Sequence, residues 1–395
     1  MKMNEKYKPG RICALILTHG CNLNCVYCFQ QHKSNHPSKQ MSLETAQSIF
    51  LKEFEFAKNS NNIQQIKFEL FGGEPMLRFD LIKKLCEWVW NLDVDVDYFI
   101  HITTNGTLLN EDNKNWLRAN KERIRLILSI DGRNDVQKSN RGSNAINLPI
   151  AFALETWPDL YLKMTMSRKS LHRFADETIY FYENGYNVEG SLAVGEAWQE
   201  GDEIIYEEQL KLIAAYYLKH PNAKPFGFFM KPFHQLFNDK PDILFGKSCG
   251  AGVTIATYDI DGRVYPCHLF VPNVHGNSDV LNHLEKIDFS NPEHFMTNEE
   301  DCLKCKLLRV CKTCAGFNFN QRGAVSRRDK HICKMILAEV KIISVFQIKY
   351  LMQKKERLSL EELVILKSAL NCYKHFKDIN YSNIINKTDK TVRIN

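Results

Sequence analysis

Between residues 11 and 194, short apolar runs alternate with longer segments whose apolar residues recur every three or four positions. Residues 11–17 are compact, apolar and rich in strand formers, which predicts a buried first strand. Ser42 can cap a helix along which Leu43, Ala46, Ile49, Phe50 and Phe54 recur at helical spacing. Residues 65–71 alternate as a strand and stop at Gly72-Gly73-Glu74-Pro75; Asp80 is the expected cap of the next helix, with Leu81, Leu85, Trp88 and Val89 on one face. Strands at 98–102, 124–130, 160–166 and 188–194, with helices near 110–120, 144–155 and 171–184, complete six strand–helix alternations.

Alternation on this scale implies an α/β fold with a parallel sheet and right-handed crossovers, either doubly wound or rolled into a barrel; the pattern does not separate the two. Chemistry in such folds sits at the strand C-terminal ends. The unusual residues fall there: a cysteine trio after the first strand, Gly72–Pro75 after the second, Thr104 and Asn105 after the third, Ser129 and Asp131 at the fourth. From about residue 235 the texture changes to a predicted hairpin (253–258, turn 259–262, 263–265) and a cysteine cluster. The last 60 residues read as helical and then polar, with 387–395 expected to fray.

A chain of 395 residues can bury a sizeable core and suits two domains. A net charge of +6, with scattered basic residues, reads as a solvated surface rather than a nucleic-acid face. Thirteen cysteines are the outlier. The first apolar run is too short for a secretion signal, and no run reaches the length of a membrane span. The expectation is therefore a cytoplasmic protein, without membrane or nucleic-acid partners, whose cysteines serve metal or catalysis rather than disulfides.

Cys21-x3-Cys25-x2-Cys28 places three thiols within eight residues. Disulfides need pairs, whereas three thiolates around a cubane of four irons leave one iron open to a small molecule. A zinc site with His19 or His32 as fourth ligand is the alternative. Gly72-Gly73 suits either a tight turn or the close approach of backbone to a ligand. Downstream, Cys302-x2-Cys305-x5-Cys311-x2-Cys314 is preceded by Cys249 and Cys267 and followed by Cys333, a spacing that by itself permits two zinc sites. Cys13, Cys86 and Cys372 fit neither pattern and read as buried small hydrophobes.

The first trio, with Tyr27 before its last cysteine, resembles the signature of the radical S-adenosylmethionine (SAM) enzymes. The resemblance implies that Cys21, Cys25 and Cys28 hold a [4Fe-4S] cluster that binds SAM. It also implies that Gly72, Gly73, Glu74 and Pro75 serve the SAM amino group, Arg141 its carboxylate and Ser129 its ribose, with Asp131 more loosely at the ribose. Those side-chain types suit such groups, although Ser129 and Asp131 also suit capping and turns. Tyr27 would line the adenine, or the core, and Thr104 and Asn105 would face the ligand.

The second cysteine set, with Gly262-x4-Cys267, resembles the SPASM extension, which carries auxiliary iron–sulfur clusters in peptide- and protein-modifying members. By that pattern Cys302, Cys305, Cys311 and Cys333 hold one auxiliary [4Fe-4S] cluster, and Cys249, Cys267 and Cys314 the other. Two residues separate Cys311 from Cys314 where the family commonly has three, and 251–261 lacks the extra cysteine of some members. The second cluster is thus expected to have three cysteine ligands and an iron open to another group, a substrate thiolate among them.

The implied architecture is a partial (β/α)6 TIM-like barrel over 1–235, a SPASM domain over 236–340 and a helical tail over 341–395. The implied activity is that of a peptide maturase that cleaves SAM reductively and abstracts a hydrogen from a ribosomally made peptide. The outcome would be a thioether or C–C crosslink, or an epimerised residue. An anaerobic sulfatase-maturing (formylglycine-generating) enzyme is the alternative; that branch has a catalytic Asp after the Tyr-Pro-Cys element, where this chain has His268. An imidazole accepts protons too, so His268 is the candidate base. The expected partners are a precursor peptide or protein and an electron donor of flavodoxin or ferredoxin type. With the first strand beginning at residue 11, leader recognition is expected to use another surface or a separate leader-peptide-binding protein. A zinc-binding scaffold is the non-enzymatic alternative.

Overall fold

The computed structural model describes residues 10–30, 39–233, 247, 249–276, 280–311 and 313–384; His32 and the tail expected to fray lie outside them. Strands β1 (Gly10–Ile16), β2 (Gln65–Phe71), β3 (Asp97–Thr104) and β4 (Ile124–Leu128) pair in parallel in the order β4-β3-β2-β1. The connections run through α1 (Leu43–Lys58), α2 (Phe79–Val89) and α3 (Glu111–Ala119). After α4 (Asn134–Arg141) and α5 (Ile150–Thr156), a second parallel pair, β5 (Tyr161–Met166) and β6 (Asn187–Leu192), encloses α6 (Phe174–Glu183). It joins β4 through a bridge between Ser129 and Lys163, where Ile130 N donates to Lys163 O at 2.9 Å. All six predicted strands are present, in a mostly parallel α/β arrangement.

Residue alternation decides which side of the sheet is dry. On β2, Ile66, Phe68 and Leu70 are fully buried, and Phe68 stacks on Phe50 of α1 at 3.7 Å between ring centroids. Burying one such ring contributes about 1.5–3 kcal/mol. The intervening Lys67, Glu69 and Phe71 take the opposite face and are only partly covered. Ser42 caps α1 as expected, accepting from Thr45 N at 3.1 Å.

Asp80 does not cap α2. Glu74 caps a 3-10 turn, Pro75–Arg78, that runs straight into the helix, so the chain arrives already wound and Asp80 lies inside the first turn. There its charge favours the helix N-terminus and pairs with Arg78 at 3.5 Å. The helix expected near 144–155 is shorter, a 3-10 turn at Ser143–Ala145 followed by α5, and α4 ahead of it is not predicted at all.

The long α7 (Asp202–Lys219) is followed by the predicted hairpin, β7 (Ile255–Tyr258) and β8 (Val264–Tyr265). Short helices α8 (Pro272–His275), α9 (Val280–Leu284), α10 (Glu300–Leu303) and α11 (Ala315–Arg322) lead to α12 (Cys333–Met352) and α13 (Leu360–Phe376). The change of texture near residue 235 is not a break in the sheet, because β7 pairs in parallel with the free edge of β1. Arg11 ties this seam, donating to Val253 O at 2.9 Å and pairing with Glu53, which also accepts from Tyr258 at 2.7 Å. The tail packs back on the first half. Phe346 of α12 lies 5.8 Å from Tyr217 of α7, and Gln347 donates to Phe229 O and Lys231 O at 2.8 and 2.9 Å.

Candidate active site

The loop after β1 is clamped onto the loop after β2. Gly73 N donates to Thr18 O and Glu74 N to Gly20 O, both at 2.8 Å. The two backbones approach so closely that a Cβ on Gly73 would lie 2.0 Å from Gly20 O, and one on Gly72 (φ +151°) 2.6 Å from Thr18 O. The glycines are required by this docking onto the start of the cysteine loop, and both also line the cavity beside it. Gln30 Nε2 closes the far end of the loop onto Gly72 O at 3.1 Å.

Two further clamps set the loop's sides. Asn22 donates to Thr107 at 2.7 Å and accepts from Asn105 at 2.9 Å. Val26 N donates to Asn140 O at 2.9 Å, and the Tyr27 hydroxyl to Asp131 at 2.7 Å. Held in this way, Cys21, Cys25 and Cys28 line one cavity of about 240 Å³, together with Tyr27, Gly72, Gly73, Glu74, Thr104, Asn105, Ser129, Arg141 and His268. Residues predicted from separate stretches of chain therefore meet at one place, beside the C-terminal ends of β1 to β4.

His19, the candidate zinc ligand, is committed elsewhere. It is buried, with Nε2 2.5 Å from Asp259 Oδ1.

Two predicted residues stand behind the cavity rather than on its lining. Asp131 is fully buried and accepts from five donors: Tyr27 Oη, Arg141 Nε and Nη2, Asn140 Nδ2 and Thr165 N. Its oxygens are spent on aiming Arg141 and Tyr27, so it positions other residues and does not reach a ribose. Pro75 is buried at the first position of the 3-10 turn, where its fixed φ starts the winding.

Glu74 and Arg141 are both buried charges with built-in partners. The Glu74 carboxylate accepts from Thr104 Oγ1, Asn105 N and Met76 N at 2.6, 2.8 and 3.0 Å. Burial still pushes its pKa above the ordinary range, against those bonds. For Arg141, burial disfavours the charge, but the bidentate pair with Asp131 at 2.8 and 2.9 Å more than restores it. Burial, and then the Asp131 charge, push the Tyr27 phenol well up, so it remains a donor. Asn105 spends its side chain on Asn22 and Thr107.

The opposite wall was only partly anticipated. His268 sits between Phe29 and Phe71, at 5.2 and 5.7 Å between ring centroids. Burial lowers its pKa to about 4, with Glu69 pulling it up and Lys163 pushing it down. Glu69, Thr103, Lys163 and Thr165 also line the cavity and were missed. The signal was there in the alternation: Lys67 and Glu69 on β2, and Lys163 and Thr165 on β5, are polar residues spaced by two on strands otherwise apolar.

In the second cysteine set, burial raises the Cys333 thiol well above its ordinary value, and Cys311, Cys305 and Cys302 add to the rise. Burial also raises Cys267, to about 12, with Cys314 and Cys249 contributing. Among the described residues, no three His, Cys, Asp or Glu side chains gather tightly enough to hold a single metal ion. A cubane spreads its ligands over separate irons, so thiol sets of this kind, once deprotonated on metal binding, suit a cluster. Cys13, Cys86 and Cys372 are fully buried, as expected. Among the described residues no helix is long and apolar enough to cross a membrane.

Residues 15–195 match the family model described as the Radical SAM superfamily. An uncharacterized protein of Methanocaldococcus jannaschii is 36% identical over 118 residues, which is 30% of this chain and 37% of that protein. The radical SAM cyclopropyl synthase TigE of Paramaledivibacter caminithermalis is 24% identical over 351 residues, 81% of this chain and 71% of that one. The cysteine-type anaerobic sulfatase-maturating enzyme of Clostridium perfringens is 25% identical over 334 residues, 74% of this chain and 85% of that one. Among solved structures, anSMEcpe with bound AdoMet superposes with a TM-score of 0.64 at 18% identity, over 91% of this chain and 98% of that chain. Streptococcus suis SuiB bound to precursor peptide SuiA gives 0.56 at 17%, over 82% and 75%. At these identities the two structures speak for the fold.

Proposed function

Taking as premise that the chain carries a radical SAM domain over residues 15–195, we propose that it is a radical SAM peptide maturase, built as a partial barrel with a SPASM-type region from 236 to 340. The observation that supports the reading most is the single cavity onto which Cys21, Cys25, Cys28, Glu74, Ser129, Arg141 and His268 all open. The three-thiol donor set, clamped between two backbone loops, fits a [4Fe-4S] cluster with one iron left for SAM. With both bound, the pair supplies a 5′-deoxyadenosyl radical able to take a hydrogen from substrate.

The chain's own part is positional. The Asp131 pair holds Arg141 in place for the SAM carboxylate, Glu74 offers a buried acceptor surrounded by donors, and Ser129 would offer its hydroxyl in the same cavity. Phe29 and Phe71 wall the opposite side against water, and His268 between them would take up a proton. Cys302, Cys305, Cys311 and Cys333 would hold one auxiliary cluster, and Cys249, Cys267 and Cys314 a second. The working compartment is the cytoplasm, with an external flavodoxin- or ferredoxin-type donor and a precursor peptide as partners.

TigE, which forms a cyclopropyl group by name, and SuiB, solved with its precursor peptide, favour a peptide substrate. The similarity to the sulfatase-maturating enzyme favours a second reading, formylglycine formation, against which His268 counts. The test is mass spectrometry of short peptides encoded beside the gene and of a sulfatase-type peptide, each incubated anaerobically with reconstituted protein, SAM and reductant. A crosslink or epimer in the former supports the proposal, and a formylglycine mass change in the latter replaces it. A colourless protein with stoichiometric zinc, in place of about 12 irons for three cubanes, would end both.

A further inference from the structure

Facing away from α1 and α2, the inner side of the sheet carries charge where a barrel interior is ordinarily apolar. Register aligns Glu69 with His101 and His101 with Arg125. Lys67 precedes Glu69 by two residues on the same face, and Lys163 faces Ser129 across the β4–β5 bridge. Arg125 is neutralised by both oxygens of Asp159 at 2.6 and 2.8 Å, and Arg141 by Asp131. Glu69 accepts a hydrogen bond from Thr103 Oγ1 at 2.9 Å. Burial would raise its pKa, yet Lys67 first and Lys163 next hold it below the ordinary range. Lys163 is the lysine of this pair that reaches the site, since it lines the cavity and is exposed to solvent, and among the described residues no carboxylate pairs with it.

We propose that Lys163 receives a carboxylate of the substrate, from an Asp or Glu side chain next to the residue that is modified. The inference rests on the peptide-maturase reading and narrows it to acidic peptides. The carboxylate would pair with the Lys163 ammonium through a charge-assisted bond that also fixes the register of the peptide under the SAM site. His268 and Thr165, on the same lining, are placed to contact the residue on its other side.

The test uses the reconstituted holoenzyme and synthetic peptides that differ only at the residue flanking a central cysteine, Glu, Gln or Lys. Peptide mass change and 5′-deoxyadenosine are both read. Wild type should prefer the Glu peptide over the Lys peptide by about tenfold or more, the size of one charge-assisted bond. K163M should flatten the preference and K163E invert it, with melting temperatures kept near that of wild type. Conversion without an acidic preference, or a preference that survives both variants, overturns the inference while leaving the peptide reading intact. A rise in the SAM concentration needed for peptide-independent cleavage, with unchanged peptide preference, assigns Lys163 to SAM and also overturns it. Conversion of no peptide, with SAM cleavage intact, overturns the peptide reading and this inference with it.

Discussion

Replacing Asp131 by Asn tests whether the buried Asp131–Arg141 pair is what holds the cavity in shape. The two side chains are 0% and 8% exposed, and the Asp131 carboxylate is the meeting point of five donors. Asn has the same outline but one acceptor and one donor. Its amide N–H₂ would face N–H or O–H groups, and the guanidinium would be left buried opposite a neutral group. Stranding one member of such a pair costs about 3–5 kcal/mol. An unfolding entropy of about 2.1 cal/mol/K per residue, over 395 residues, comes to roughly 0.8 kcal/mol/K, so the melting temperature should fall by about 4–6 °C. Anaerobic calorimetry of the metal-free protein reads this without interference from the clusters. The double variant D131N/R141M should recover much of the loss, because the stranded charge is gone. A single variant melting within about 1 °C of wild type, or a double variant no better than the two losses added, would refute the reasoning.

Three other outcomes are expected. Gly73→Ala should lose two inter-loop hydrogen bonds, about 1–3 kcal/mol together, and should retain less iron on the first trio, which iron analysis after gel filtration checks; wild-type iron content would contradict the docking role. His101 is kept neutral, first by burial and then by Lys67 and Arg125, its pKa lowered to about 3. The unfolded chain takes up that proton near pH 6.5, so this part of the stability is complete above 6.5 and is lost as pH falls towards 3; H101Q should flatten the acid limb of urea midpoints, by on the order of a few kcal/mol, and an unchanged limb would contradict it. Cys21→Ser should abolish SAM cleavage, whereas Cys302→Ser should remove about four irons and leave peptide-independent cleavage in place, measured as 5′-deoxyadenosine by chromatography.

Strands were legible because their signal is local. Residues 65–71 alternate whatever surrounds them, and residues 11–17 are apolar enough to be buried anywhere. Helix α4 was not, since Asn134–Arg141 has a single apolar residue, Val136, and the face it buries is polar: Gln137, Asn140 and Arg141. Its reason is a set of bonds to Asp131, Ser167 and Ser170, made across distant parts of the chain. The site was legible where residue type is unusual, as with the cysteines, Gly72–Pro75 and Arg141. Glu69 and Lys163 left only the weaker trace of polar residues at every second strand position, because an ordinary Glu or Lys becomes unusual only by facing inward. The glycine pair shows a third case, a close approach marked by residue type whose neighbour, backbone of this chain, only the fold identifies.

The seam between β1 and β7 bears on how such a protein is made. Arg11 finds Val253 O across 242 residues of sequence, and until that segment emerges one edge of β1 has no strand beside it. At about 5–20 residues per second of synthesis, the edge stays unpaired for roughly 10–50 s. That is long against strand pairing and hazardous for an apolar strand. The same strand leads directly into Cys21, so the cysteine loop rests on a scaffold that is incomplete for most of translation. Iron–sulfur assembly on the first trio should therefore follow release of the C-terminal half, and fragments ending before residue 255 should aggregate rather than accumulate as a half-size SAM-binding unit.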